Sequence, residues 1–434
     1  MFRSISERLG VKPKPAAAPA ARKKSAVRRV NSKSGKGTLH LKVDIILLLT
    51  TITLMVFGLI MVYSSSYDFS KLQFENSSRI FNRQLLVLFI GSAAMIVLAF
   101  MDYHVLRKIA LPALIVTIVS LLAVQVIGDE RHGAARSLFN GSIQPSELAK
   151  LIIIIYLAVW LYSKRDSLNK VTFGLVPLAI ILGVMVGLIL MQPDLSAVFT
   201  IIFLGGFMFF IAGGELRQIG VVLIIGALVS WSVLLLYPTG AERIQEFFIG
   251  LKDPTQGSYH VQRAFEAFIN GGWLGVGIGN SETKYTGLPV PHTDSIYAVV
   301  GEETGMFGSI GLLILFSLVL WRGLSIARRA PDEMGALLAA GVSIWIAFEA
   351  FINMAGIVNV MPFPGNAMPF ISAGGSSLFV TLAGIGIVLN VSRFCVLNEE
   401  ENGKLFGAVV NLRRRDGRRR VSSARRSAGA KVNR

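Results

Sequence analysis

Apolar residues along this chain gather in long unbroken blocks rather than at the alternating spacing of a strand or the one-sided spacing of a surface helix. Each block is about 17–25 residues, the length of helix that crosses a ~30 Å hydrocarbon core. Ten such blocks lie at roughly 43–63, 84–101, 109–127, 145–163, 172–190, 195–212, 217–236, 296–321, 335–357 and 370–392. The polar stretches between them are short, apart from residues 237–295. The pattern predicts an all-α, polytopic membrane protein of ten transmembrane helices with one long loop.

Composition agrees with this pattern, and charge gives it a direction. Hydrophobic residues make up 53% of the 434 and charged residues 16%, with a mean hydropathy of +0.60, whereas soluble domains carry about 25% charged residues. The single cysteine, Cys395, excludes an intramolecular disulfide framework. The net charge of +17 comes from two Ser/Ala/Gly-rich tails, +11 over residues 1–42 and +8 over 393–434, which leave the intervening chain slightly acidic. Neither tail has apolar periodicity, and both read as disordered segments drawn to an anionic leaflet or as a plain topology signal. Without aromatic interleaving or a reader motif they do not indicate nucleic-acid binding. No apolar core follows the first basic residues, so no cleavable leader is expected. An even number of spans puts both tails on one side, and the excess of Lys and Arg makes that side cytoplasmic. Arg107–Lys108, Lys164–Arg165, Arg217 and Arg328–Arg329 agree, while Arg79 and Arg83 in the first outside loop dissent.

The unusual residues then fall outside the cytoplasm: IQPSELAK (143–150), MQPDLS (191–196), PHTD at the end of the 237–295 loop, and MPFPGNAMPFISAGGSS (361–377). Proline followed by an acid is also ordinary grammar for a helix start, but four polar stretches on one face suggest a site. Asp294 stands at the mouth of span eight, and Gly301, Gly305 and Gly308 are spaced to share its helix face, which would turn it toward the bundle. Glu302 and Glu303 read either as functional intramembrane acids or as hydrogen-bonded structural groups. A carboxylate among Lys150, Arg243, Arg263, Lys284 and Arg136 suits a reaction on an anionic lipid head group. The carboxylate would act as base and the cations would hold a pyrophosphate leaving group. GWLGVGIGNS (272–281) lacks the strand of a dinucleotide fingerprint, and its glycines suggest a sharp loop instead. Metal ligation is weakly signalled: no HxxxH or HExxH occurs, and oxygen ligands leave open only a loosely held Mg²⁺ or Mn²⁺. On these residues three functions compete: a transferase, a flippase for a lipid-linked precursor that uses Glu349, Glu302 and Glu303, and a non-catalytic scaffold.

GLIMVYSSS, GAARSLFNGSIQPSELAK, QPDLS, GGWLGVGIGNSETKYTGLPVPHTDSIYAVVGEETG and MPFPGNAMPFISAGGSS, in that order over residues 43–392, resemble the SEDS (shape, elongation, division and sporulation) family. GVGIGNSETK is closer to its FtsW-like division branch. The resemblance implies a ten-span peptidoglycan glycosyltransferase that polymerises lipid II at the division septum with a class B penicillin-binding protein and other division proteins. Carried over by position, Asp294 is the catalytic aspartate and Glu147 and Lys150 the QPSExxK pair, which at i, i+3 on a helix are expected to pair with each other or across to Asp294. The candidate substrate contacts are Glu147, Lys150, Asp194, Arg243, Lys284, His292, Thr293 and Ser376. The chain departs from the family pattern at Ser137 (tryptophan), Val290 (glutamate), Ser295 (phenylalanine), Ala373 (tyrosine) and Glu349 (glutamine).

Overall fold

The computed structural model describes residues 43–396 apart from 132–133, 138–143, 169, 193, 216, 219, 222–223, 225 and 227–237. Both basic tails as drawn from sequence, except 393–396, and most of span seven lie outside the described residues. The long helices are α1 (Ile45–Phe74), α2 (Arg79–Phe100), α3 (Leu106–Ile127, after a 3-10 turn at Tyr103–Val105) and α4 (Pro145–Lys164). Two shorter apolar helices follow, α5 (Leu175–Leu190) and α6 (Leu195–Ile211). The segment 237–295 holds α7 (Pro238–Lys252) and α8 (Tyr259–Gly271), and α9 (Ile296–Arg329), α10 (Glu333–Ile357) and α11 (Gly375–Val396) complete the bundle. Seven of these helices are long and apolar enough to cross a membrane: α1–α4 and α9–α11. A short antiparallel ribbon, β1 (Asp129–Arg131) with β2 (Ala134–Ser137), links α3 to α4.

The centre of the bundle is α10 and α11, whose apolar windows are 83% and 78% buried, against 22% for α2. All are apolar, so what separates centre from rim is side-chain size and polarity. The central pair carries Gly341, Gly384 and buried polar groups that find partners between helices. Asn390 of α11 donates to the Ala99 carbonyl (2.9 Å) and accepts from Tyr103 N (3.2 Å), closing the α2–α3 turn. At the same end Asp44 caps α1 through Leu47 N (3.0 Å) and pairs with Arg322 of α9.

Two helices differ from the hydropathy pattern. α1 runs eleven residues beyond its apolar block, to a left-handed cap at Glu75 (φ 55°). Ser64, Ser65, Ser66 and Ser70 in that extension are buried against protein, so their polarity does not end the helix. α9 is broken at Gly305 (φ 68°, ψ −167°), where a Cβ would lie 2.5 Å from backbone atoms of Trp273 and Gly275. The break frees main-chain groups, and the glycine loop after α8 pairs with them. Val276 N donates to the Glu302 carbonyl (3.0 Å) and Gly277 N to that of Glu303 (3.0 Å), while Met306 N donates to Gly272 (2.9 Å). The loop is therefore clipped into the helix, at left-handed glycines 275, 277 and 279.

Candidate active site

A polar cavity of about 750 Å³ opens at the end of the bundle where α1 stops and α4 and α6 begin. Its wall takes Phe69 and Gln73 from α1, Arg83 and Gln84 from α2, Glu147 from α4, and Asp194 and Ser196 from the start of α6. Arg243 of α7, the turn His292–Asp294 and the stretch Gly365–Ala367 with Ala373–Ser377 close it. All four stretches singled out in the sequence meet there.

Asp294 does not ride on the helix face suggested by the glycine spacing, because α9 starts only at Ile296. Gly301 packs on Phe268 and Gly271 of α8, Gly305 on the clipped loop, and Gly308 on Thr304 of its own helix. The turn bearing Asp294 is fixed instead through its carbonyls. Ala373 N donates to His292 O (2.8 Å), Ser372 Oγ to Thr293 O (2.6 Å) and Asn353 Nδ2 to Asp294 O (3.0 Å). Asn353 also donates to Asn366 O (2.7 Å), so one buried amide of α10 ties both cavity-lining segments together. Gln84 Nε2 reaches Ser372 O (3.1 Å), and Ser376 Oγ accepts from Gln144 N (2.9 Å), which fixes the start of α4.

Of the predicted cations whose side chains are described, Arg243 reaches the cavity; the side chain of Arg136 lies outside the described residues. A Cβ on Gly365 would stand 3.5 Å from Arg243 Nη2 and 3.7 Å from Asp294 Oδ2, so guanidinium and carboxylate flank the same small space. Arg83 is a second cation in the wall, absent from the residues picked by motif. Its signal was its position: a basic residue on the face where the charge rule disfavours one. His292 is 8% exposed, against the Phe69 ring (centroids 4.6 Å apart). Burial pushes its pKa down to about 4, so the imidazole is neutral at ordinary pH. His260, also lowered by burial and then by Arg243, lies 3.1 Å from Ser295 Oγ.

Two predicted contacts sit elsewhere. Lys284 does not line the cavity: its side chain is 3% exposed and donates to Glu303 (2.9 Å), Ser64 (3.1 Å) and the Gly279 carbonyl (2.8 Å). Lys150 meets Glu147 at 2.8 Å, as the i, i+3 spacing predicts, but its second partner is Glu349 of α10 rather than Asp294. The glutamate at a glutamine position is thus taken up by this buried lysine. Asp194 caps α6 through Ala197 N (3.2 Å) and accepts from Ser146 (2.9 Å) and Ser196 (3.0 Å), joining α4 to α6 at the cavity edge. Glu302 is held by Ser281, Thr283 and Glu282 N (3.2 Å), so it anchors the loop and does not face the cavity. Among the described residues no group of three or more His, Cys, Asp or Glu is placed to hold a metal ion.

Residues 44–396 match the cell cycle protein family of FtsW, RodA and SpoVE. The chain belongs to this family. A probable peptidoglycan glycosyltransferase FtsW from Geobacter sp. (strain M18) is 36% identical over 356 residues, covering 80% of this chain and 96% of that protein. Stage V sporulation protein E of Bacillus subtilis (strain 168) is 34% identical, covering 81% and 97%. Among solved structures, a chain described under the structural coordination of polymerization and crosslinking by a peptidoglycan synthase complex is similar, with a TM-score of 0.66 and 28% identity. It covers 81% of this chain and 98% of that one. The rod shape determining protein RodA of Thermus thermophilus follows at a TM-score of 0.61 and 27% identity, covering 82% and 98%. Against the FtsW/RodA/SpoVE pattern, Ala373 leaves open cavity wall where a tyrosine is expected, and Val290 lines it at φ 45°. Ser295 is fully buried beside His260, and the side chain of Ser137 lies outside the described residues.

Proposed function

We propose that this chain is a peptidoglycan glycosyltransferase that polymerises lipid II, with Asp294 as general base. The observation that carries the reading is the cavity itself: in a family fold shared with peptidoglycan glycosyltransferases, the Asp294 carboxylate and the Arg243 guanidinium flank one small space. Asp294 takes the proton of an acceptor sugar hydroxyl as that oxygen bonds to the donor's anomeric carbon. The bond from that carbon to the pyrophosphate oxygen breaks, and the electron pair leaves with the lipid pyrophosphate. Arg243 and Arg83 supply positive charge for the leaving group, neutral His292 and Thr293 shape the turn, and Glu147, Asp194 and Ser376 line the space for the sugars.

The topology that goes with this reading has ten spans, the seventh within 217–236, and both basic tails in the cytoplasm around a membrane domain of residues 43–392. The cavity then opens outside, where no nucleotide is available and the substrate arrives already activated on its lipid. A class B penicillin-binding protein and other division proteins at the septum are the matching partners, in keeping with the synthase complex of the similar solved chain.

Polymerisation of lipid II by purified protein with its partner in detergent tests the activity, because transport has no meaning there. Asp294→Asn and Asp294→Ala should abolish glycan strands, with general-base loss alone worth about 10²–10⁴-fold, while folding and partner binding persist. Strands of ordinary length from Asp294→Ala would sink the assignment.

A further inference from the structure

Beside the polar cavity lies an apolar one of about 320 Å³. It is walled by Leu190 at the end of α5, Phe199 of α6, Ile244 of α7, Ile352 of α10, and Met361 and Phe363 of the segment after α10. Ser196, Arg243 and Asn366 line both spaces. The two therefore meet along a seam that bears the Arg243 guanidinium, polar on one side and hydrocarbon-like on the other.

That order, sugar-sized polar space, then cation, then apolar groove, is the order of parts in a lipid-linked sugar pyrophosphate. The geometry points to the groove as the seat of the polyprenyl tail of the glycosyl donor, the substrate whose pyrophosphate departs. This rests on the glycosyltransferase reading and adds which of the two lipid substrates lies where. The reacting centre is fixed by Asp294, and Arg243 stands across Gly365 from it. A donor places its pyrophosphate at the reacting carbon, within reach of that cation, and its tail continues from there into the groove. An acceptor reacts through a hydroxyl at the far end of its sugars, so its pyrophosphate and tail lie away from this seam. A volume of this size takes the first isoprene units and leaves the rest of a long tail to the bilayer. After reaction the polyprenyl pyrophosphate must leave by the same groove.

The test uses the full-length protein with its partner, a lipid-linked oligosaccharide as donor and labelled lipid II as acceptor. Ile244→Trp and Met361→Trp fill the groove from segments outside the long helices, and Phe248→Trp, on exposed Phe248 of α7, is the control. The expected result is a KM for the donor about tenfold higher, the scale on which apolar pockets sense a lost methylene contact, with acceptor KM and kcat little changed and the control like wild type. Independently of any variant, a donor carrying a photoreactive group on its pyrophosphate-proximal isoprene should label residues 190, 195–200, 244 or 361–363 of the wild-type protein. Labelling elsewhere, or donor KM unchanged in both groove variants, overturns the inference. A wild-type protein that makes no glycan at all refutes the glycosyltransferase reading instead.

Discussion

Replacing Lys150 by methionine removes the cation held between the buried Glu349 and the partly exposed Glu147. The Lys150 side chain is 4% exposed, that of Glu349 2% and that of Glu147 13%. At the 2.8 Å separation from Glu147, Coulomb attraction at an effective dielectric near 20 is roughly 6 kcal/mol gross, and desolvation takes back most of it. Removing the lysine does not return that desolvation. It leaves Glu147 and Glu349 facing each other without a counter-charge, and breaking such a pair from one side costs about 3–5 kcal/mol. Glu349→Gln is a different case, since Lys150 keeps Glu147 and a second buried charge disappears. Its cost should be smaller than that of Lys150→Met. In the double variant Lys150→Met/Glu349→Gln, losing the second carboxylate should restore at least about 1 kcal/mol of the damage, a coupling of the size expected for contacting charges. The assay is reversible unfolding in mixed micelles, read by tryptophan fluorescence and repeated on all four members of the cycle. Lys150→Met as stable as wild type, or Glu349→Gln as damaging as Lys150→Met, would refute the reasoning.

Lys284→Met should lower stability by breaking the buried contacts to Glu303 and Ser64, yet leave the KM for lipid II in the surviving folded fraction unchanged; a selective KM rise would return Lys284 to the substrate site. Arg83→Gln should raise that KM or lower kcat, or both, in the folded fraction, and kinetics indistinguishable from wild type would remove Arg83 from the binding wall. His292 has its pKa depressed from 6.5 to about 4, so between those values the unfolded chain binds more protons than the folded one. Its contribution to stability is complete above pH 6.5 and is lost progressively as pH falls toward 4. Unfolding of wild type and His292→Gln across that window should show a shallower pH slope in the variant, and parallel slopes would contradict the burial argument.

The membrane character was legible from sequence because a helix that meets lipid must be apolar along its length, whatever its neighbours are. The same holds for the clustering of IQPSELAK, MQPDLS, PHTD and MPFPGNAMPFISAGGSS, since polar residues beside spans tolerate only a few environments. The pairing of Lys150 with Glu147 followed from helix spacing alone. What spacing could not supply was anything that depended on a helix being interrupted or on a choice among partners. The face drawn through Asp294, Gly301, Gly305 and Gly308 assumed a continuous helix, and the left-handed Gly305 and the later start at Ile296 break it. Lys284 looked like a cavity cation until packing placed Glu303 and Ser64 beside it. Arg83, which the charge rule marked only as a misfit, gained its place in the wall from α2 lying against the Ser372 segment. Asn353 carried no motif at all; its two carbonyl partners, Asp294 and Asn366, are 59 and 13 residues away in sequence. Local sequence fixes what a side chain can do, and only the tertiary fold decides which groups stand close enough for it to do so.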